Sequence, residues 1–446
     1  MANKGIPLSL ETAPIGKLLR QYAFPAILAM AAQSLYNITD SIFIGHGVGA
    51  LALSGLAISF PLMNLSAAFA TLTGIGAAAL LSIRLGQKDY ETANTILGNV
   101  ITLNVIIGVL YSAIALIFLN PILYFFGASA ETLPYARSYM QIILCGNTIT
   151  YLFFGLNAML RSSGSPRRAM TATIITVVIN IVLNPLFVFK YGWGIRGSAS
   201  ATVISQTLVL LWQIRFFSNK QHFIHLQKGI FALRKKIVKD TISIGISPFS
   251  MNAAACVIVI LINHGLLTAG GDLAVGAYGI VNRVAFLFVM IVMGLNQGMQ
   301  PIVGYNYGAH QHDRVIQILK LVILWATIIM TFGFTFVQLF PRAVATIFTT
   351  DQTLIDLAAN GLRKVFMFFP LVGAQMVTST FFQSIGKARQ AIILSLTRQV
   401  IFLIPLLLIL PPLWGINGIW LSMPISDALS VILALILLVK QLRTFK

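Results

Sequence analysis

Twelve long apolar stretches alternate with short polar or turn-forming ones along the chain. A membrane-crossing helix needs about 20 mostly apolar residues bounded by polar or turn-forming ones. On that basis spans are predicted at 18–45, 51–81, 92–118, 133–160, 167–189 and 197–216. After a polar gap come 240–267, 273–302, 315–340, 354–384, 388–410 and 415–440. These runs far exceed the alternating segments of roughly ten residues that build a membrane barrel. The pattern predicts an all-α membrane protein of twelve transmembrane helices.

Landmarks recur between the two sets of six. Gly86, after the second span, has Gly308 after the eighth, about 222 residues on. Arg161-Ser162-Ser163-Gly164 corresponds to Gln383-Ser384-Ile385-Gly386, and Gly194-Ile195-Arg196-Gly197 to Gly415-Ile416-Asn417-Gly418. Pro25 and Pro248 occupy equivalent places in the first and seventh spans. Six spans is an even number, so both repeats share one orientation. Parallel repeats place the symmetry axis along the membrane normal, with a substrate route expected between the halves. The chain divides into an amino-terminal lobe (1–216, helices 1–6), a cytoplasmic linker (217–239) and a carboxy-terminal lobe (240–446, helices 7–12). A transporter is the reading this organisation favours.

Composition agrees. Of 446 residues 57% are hydrophobic and 9% charged, whereas soluble domains carry about 25% charged residues. The net charge of +19 raises the question of nucleic acid, but no soluble basic domain is present to bind it. The basic residues instead gather in alternate loops. Lys4, Lys17, Arg20, Arg84, Lys88, Arg161, Arg314, Lys387, Lys440 and Lys446 share one side with the linker residues Lys220, Lys228 and Arg234 to Lys236. The other side holds only Arg137, Lys190, Arg196, Arg342, Arg363 and Lys364. By the positive-inside rule both termini and the linker are cytoplasmic. Cys145 and Cys256 lie in apolar runs, away from any disulfide framework or metal cluster. The polar start leads into a long apolar run, so a first helix that stays in the protein is expected, not a cleaved signal.

Ionisable residues deep in a bilayer are costly and are candidates for function. Asp40 sits toward the outer end of the first span, where Gln33, Tyr36, Asn37 and Asp40 follow i, i+3, i+4, i+7 spacing on one face. A carboxylate withdrawn from water there can exchange protons near neutral pH. With neighbouring oxygens it can hold Na⁺ instead, a hard cation like Ca²⁺. The plain alternative is a hydrogen-bonded Asp near a helix exit. Its repeat counterpart is Asn263, which confines charge-dependent coupling to the first half. Asp427, Arg398 and Arg283 lie near mid-depth in the second half, and an ion pair between Asp427 and one of the arginines is expected, serving structure or handling of substrate and protons. Asn180 and Asn184 share a face of the fifth span, Thr202 lies in the sixth, and Pro185 frees a carbonyl that can become a cation ligand. Helix packing through polar side chains explains these residues equally well. Pro25 is a candidate kink in the first helix.

No Walker lysine loop, H-E-x-x-H or zinc-spaced cluster occurs, so neither ATP-driven transport nor metal-dependent catalysis is equipped. His222 and His225 fall in the basic linker and are expected to be solvated. An ion gradient is the driving force that remains; no cofactor beyond H⁺ or Na⁺ is expected, and the protein is not read as an enzyme.

At this point the residues resemble a known family, the multidrug and toxic compound extrusion (MATE) transporters. The marks are TDSIFIG (Thr39 to Gly45), GLNQGMQPIVGYNYGA (Gly294 to Ala309), NIVLNPLFVF (Asn180 to Phe189) and GIRGSASATVISQ (Gly194 to Gln206). The resemblance covers nearly the whole chain and implies two six-helix lobes in a V around a central cavity. It implies export of amphipathic, often cationic, organic compounds in exchange for H⁺ or Na⁺ by alternating access. Asp40 matches the coupling carboxylate of the family, and Tyr36, Asn180 and Thr202 its polar surroundings. Asn184 departs from the pattern, because many relatives have Asp there; a single carboxylate weakens Na⁺ binding and favours H⁺. A flippase for lipid-linked saccharides is the alternative, and it calls for a more cationic cavity than Arg283 and Arg398 provide. Gln33, Met30, Met63, Phe60, Met290 and Met293 are candidates to line a promiscuous cavity. A monomer in the inner cell membrane, among lipid, is expected.

Overall fold

The computed structural model describes residues 8–445; the side chains at 8, 9, 37, 38, 50 and 272 lie outside the description. Among the described residues ten helices are long and apolar enough to cross a membrane: Ile15–Gly47, Leu51–Gly86, Tyr90–Ile117, Leu133–Ser162, Pro166–Lys190, Lys235–Gly271, Leu273–Gly308, His312–Leu339, Ala388–Trp414 and Ile416–Arg443. Gln352–Val365 and Phe369–Ser384, bent by 55°, make one more span. Ile195–Ser218 completes the set. Its 24 residues reach about 36 Å, enough for a hydrocarbon layer of about 30 Å, although Arg196, Ser198, Ser200 and Gln206 make it less apolar than its neighbours. These are spans 1 to 12 in chain order. Large apolar side chains such as Val182 (63% exposed) and Phe332 (65%) form the surface that lipid must cover.

Two expected boundaries move. Hydrophobic length predicts one helix over 354–384, but it breaks at 366–368, just before Pro370. Proline lacks the N–H for an α-turn, so it breaks the hydrogen-bond ladder and sits in the first turn of the second segment, where no partner is needed. Span 7 begins at Lys235, so the linker shortens to 219–234. Its histidines are half-buried against a linker that is docked on span 3. Asn99 Nδ2 donates to the carbonyls of Ile230 and Ala232, both at 3.0 Å, and its Oδ1 accepts from the Arg234 N–H at 2.8 Å. Asn94 Oδ1 accepts from the His225 N–H at 2.9 Å. His222 stacks on Phe216 at 4.0 Å, and burial, helped by nearby Arg168 and His225, holds its imidazole below the usual value. Two asparagines of span 3 supply the backbone partners that a polar loop would otherwise take from water.

The main apolar core runs through the second half and joins the first at the end where span 1 begins and span 12 ends: Leu18, Ala78 and Leu97 of the first pack in one cluster with Met299, Val303 and Phe381 of the second. A separate cluster at the far end, around Ile44, Leu62, Tyr139 and Ile195, is drawn from the first half alone. Span 8 approaches span 1 closely through Gly294 and Gly298, four residues apart. A Cβ there would lie 2.7 Å from Ile27 Cα or 2.5 Å from Ala23 Cα, closer than side chains allow, which is why small residues repeat at this spacing in membrane helices. The two contacts bracket Pro25, through which span 1 continues as helix.

Candidate functional site

Three i, i+4 pairs meet at the outer half of the first lobe. Tyr36 and Asp40 lie on span 1, Asn180 and Asn184 on span 5, and Thr202 and Ser198 on span 6. Four-residue spacing stacks each pair on one helix face, so the six side chains form two rungs. On the deeper rung Tyr36 Oη and Thr202 Oγ1 are 2.8 Å apart, and Asn180 Nδ2 donates to Thr202 Oγ1 at 3.3 Å. On the outer rung Asp40 Oδ1 accepts from Asn184 Nδ2 at 2.5 Å and from the Ser198 hydroxyl. Asn184 Nδ2 also reaches Ser198 Oγ at 3.3 Å.

The turn between spans 5 and 6 sets this register. Pro185 interrupts the α-pattern, and Leu186–Lys190 continues as a wider π-turn, a feature that recurs at functional sites. Phe187 stacks on Trp193 at 4.9 Å, and Phe43 of span 1 meets Phe189 edge-on at 6.2 Å.

Asp40 is 5% exposed and takes no part in the ion pairs found among the described residues. A buried carboxylate with no basic partner is costly unless a proton or a metal cation neutralises it. Asn184 Oδ1, beside it, is buried with no hydrogen-bond partner among the described residues. It can accept from a protonated Asp40 or join the carboxylate as an oxygen ligand to a cation. Both uses fit the same atoms, and one carboxylate with one orphaned amide oxygen is a lean set for Na⁺, which prefers more oxygen donors.

The remaining candidates scatter. The side chain of Asn37 lies outside the described residues. Gln33 is half-buried. Met30 Sδ accepts from Gln297 Nε2 at 3.0 Å and Met290 Sδ from Ser34 Oγ at 2.6 Å, so both methionines bridge spans 1 and 8. Met63 packs against the outer apolar cluster, Met293 is half-buried and Phe60 is 56% exposed. In the second lobe Arg398 Nε donates to Asp427 Oδ1 at 2.8 Å, while Arg283 is exposed on span 8. Ser198 is the residue that sequence reasoning missed. Its signal was the four-residue spacing from Thr202.

The MatE family model matches the chain twice, over residues 25–186 and 245–409. The chain belongs to the MATE family. The two matches restate the internal repeat, one copy in each half of the transporter. Among curated proteins, the multidrug export protein MepA of Staphylococcus haemolyticus is 27% identical over 425 residues, covering 95% of this chain and 93% of that protein. MepA of Staphylococcus aureus is 26% identical and covers 96% and 94%. Among solved structures, the MATE multidrug transporter DinF-BH is 37% identical, with a TM-score of 0.90, covering 99% of this chain and 98% of that one. An outward-facing MATE family transporter of the MOP superfamily is 25% identical with a TM-score of 0.93, covering 100% and 99%. This MATE protein is therefore a multi-pass membrane transporter and not an enzyme.

Proposed function

We propose that this transporter is a cation-coupled antiporter that exports amphipathic, often cationic, organic compounds, and that Asp40 carries the coupling ion, a proton. The observation that carries the reading is a buried acid with two hydrogen-bond donors on one oxygen and, among the described residues, no ion-pair partner. Such a group holds a proton or yields it to a competing cation, so outer proton and substrate can alternate on one carboxylate. The names of MepA and DinF-BH as multidrug proteins support the substrate class.

In this reading the two six-helix halves on either side of the linker are the lobes that alternate. The start of span 1, the end of span 12 and the linker gather at one end, where His312 stacks on Phe445 at 4.6 Å and Tyr90 meets Phe223 at 4.4 Å. The concentration of Lys and Arg there supports a cytoplasmic placement in a cell membrane. Met30 and Met290 bridge spans 1 and 8, and their soft, adaptable side chains suit a substrate route that opens when those spans separate. The test is efflux of a fluorescent organic cation from proteoliposomes under imposed proton or Na⁺ gradients. Proton-driven efflux that is lost in Asp40→Asn supports the reading; efflux driven equally well in the mutant refutes it.

A further inference from the structure

The segment that leads into span 1 belongs to the first half but is held by the second. The Arg314 guanidinium, at the start of span 9, donates to the carbonyls of Ala13 at 2.7 Å and Leu10 at 3.2 Å, and to Asn306 Oδ1 at 2.9 Å. Asn306 Nδ2 donates in turn to the Leu10 carbonyl at 3.1 Å. Tyr305 Oη donates to Glu11 Oε2 at 3.3 Å, and the Leu10 side chain is 1% exposed. The conspicuous YNYGA run thus reads a strap of backbone from the other half.

Beneath the strap, spans 2 and 8 touch backbone to backbone. A Cβ at Gly86 would overlap the Tyr305 carbonyl oxygen, and one at Gly308 would overlap that of Ile83. The internal repeat exchanges these two contacts, since Gly86 and Ile83 correspond to Gly308 and Tyr305. The seal is therefore symmetric about the axis between the halves, and the strap crosses the joint on one side of it, as the linker bound by Asn99 does on the other. Cα–H···O contacts between glycines and carbonyls are weak, so the backbone contact itself adds little hold to the apolar core that surrounds it. Apolar packing is non-directional, and a directional tie across the joint adds to its hold. The strap spans the joint with charge-assisted hydrogen bonds, stronger than neutral ones.

We propose that Leu10–Ala13, gripped by Asn306 and Arg314, is a latch that keeps the Gly86–Gly308 seal closed, and that its release opens the end of the transporter carrying the termini. Asn306 and Arg314 are positioning residues, remote from Asp40, so the latch stands or falls separately from the coupling reading.

The experiment places a reporter cysteine at Ser82, which is 1% exposed beside Gly304, in the full chain with Cys145→Ser and Cys256→Ser. A charged maleimide is supplied on both faces of proteoliposomes. The closed parent should label slowly. Loss of the Arg314 bonds in Arg314→Gln, or of the Asn306 bonds in Asn306→Ala, should speed labelling about tenfold, with Arg314→Lys restoring part of the protection. Gly308→Ala acts on the seal without touching the strap and should do the same; if it does not fold, the strap variants decide. Labelling at the parent rate in well-folded Arg314→Gln and Asn306→Ala, or fast labelling in the parent itself, overturns the latch.

Discussion

Asp40 draws its surroundings from three helices, and each partner contributes a different kind of atom. The Ser198 hydroxyl and the Asn184 amide donate to the same carboxylate oxygen. Removing one donor to a charged acceptor costs about 1.5–3 kcal/mol, and 1.4 kcal/mol is about tenfold in an equilibrium or rate. Ser198→Ala is therefore expected to cut gradient-driven efflux by about tenfold or more while leaving the fold intact, measured in the same proteoliposomes. Asn184→Asp tests the other face of the site. A second carboxylate at the orphaned amide position supplies the charge and oxygen that Na⁺ lacks here. The variant is expected to gain a Na⁺-dependent rise in unfolding temperature that the parent shows weakly or not at all; no such gain would mean that Asn184 does not face the cation position. Asp40, Tyr36, Asn180, Asn184 and Thr202 were legible from spacing and from the resemblance. Ser198 was not picked out, because in a serine- and threonine-rich helix nothing but register distinguishes one hydroxyl from the next.

At the scale of elements, hydrophobic length fixed the spans well, since an apolar run of this kind has few places to be other than across a bilayer. It could not show how elements bend or dock. Pro370 was visible in the sequence, yet its break was absorbed into one long span. The linker read as a polar loop, although Asn94 and Asn99 on span 3 bind its backbone, a role that an asparagine inside an apolar run does not announce. Three hydrogen bonds through Asn99, each worth about 1 kcal/mol, predict that Asn99→Ala frees the linker. Trypsin should then cleave at Lys228 or Arg234 several-fold faster, read by gel under native conditions; unchanged cleavage would mean the docking contributes little. The Arg398–Asp427 pair is a second case. Asp427 is 8% exposed, the Arg398 side chain 28%, and Ser426 Oγ donates to the Arg398 carbonyl at 2.6 Å inside a widened turn. Breaking a buried pair from one side costs about 3–5 kcal/mol, and the partial exposure of Arg398 argues for the lower end. Arg398→Met should lower the unfolding temperature, and Arg398→Met with Asp427→Asn should recover most of it. A double variant no more stable than the single one would speak against a structural pair.

At the scale of the molecule, the halves share a core at the end carrying the termini, while the outer cluster belongs to the first half alone. Asp40 lies on span 1 beyond the Ser34–Met290 contact that ties the halves together. This asymmetry, closed at one end with the acid near the other, suits a transporter poised to exchange an outer proton for a substrate carried from within. The repeat made the two-fold arrangement legible, because equivalent glycines recur at a nearly constant offset. The close approach of those glycines was not legible, since a glycine in a membrane helix signals packing, bending or neither.

The measurement that tests the central claim most directly is proton release on drug binding. Purified transporter in detergent is held in weak buffer near neutral pH, and a cationic drug is titrated in while a pH indicator is followed. Competition on Asp40 predicts about one proton released per drug bound, and drug binding without release in Asp40→Asn. Stoichiometric drug binding to the wild type with no proton released would contradict it.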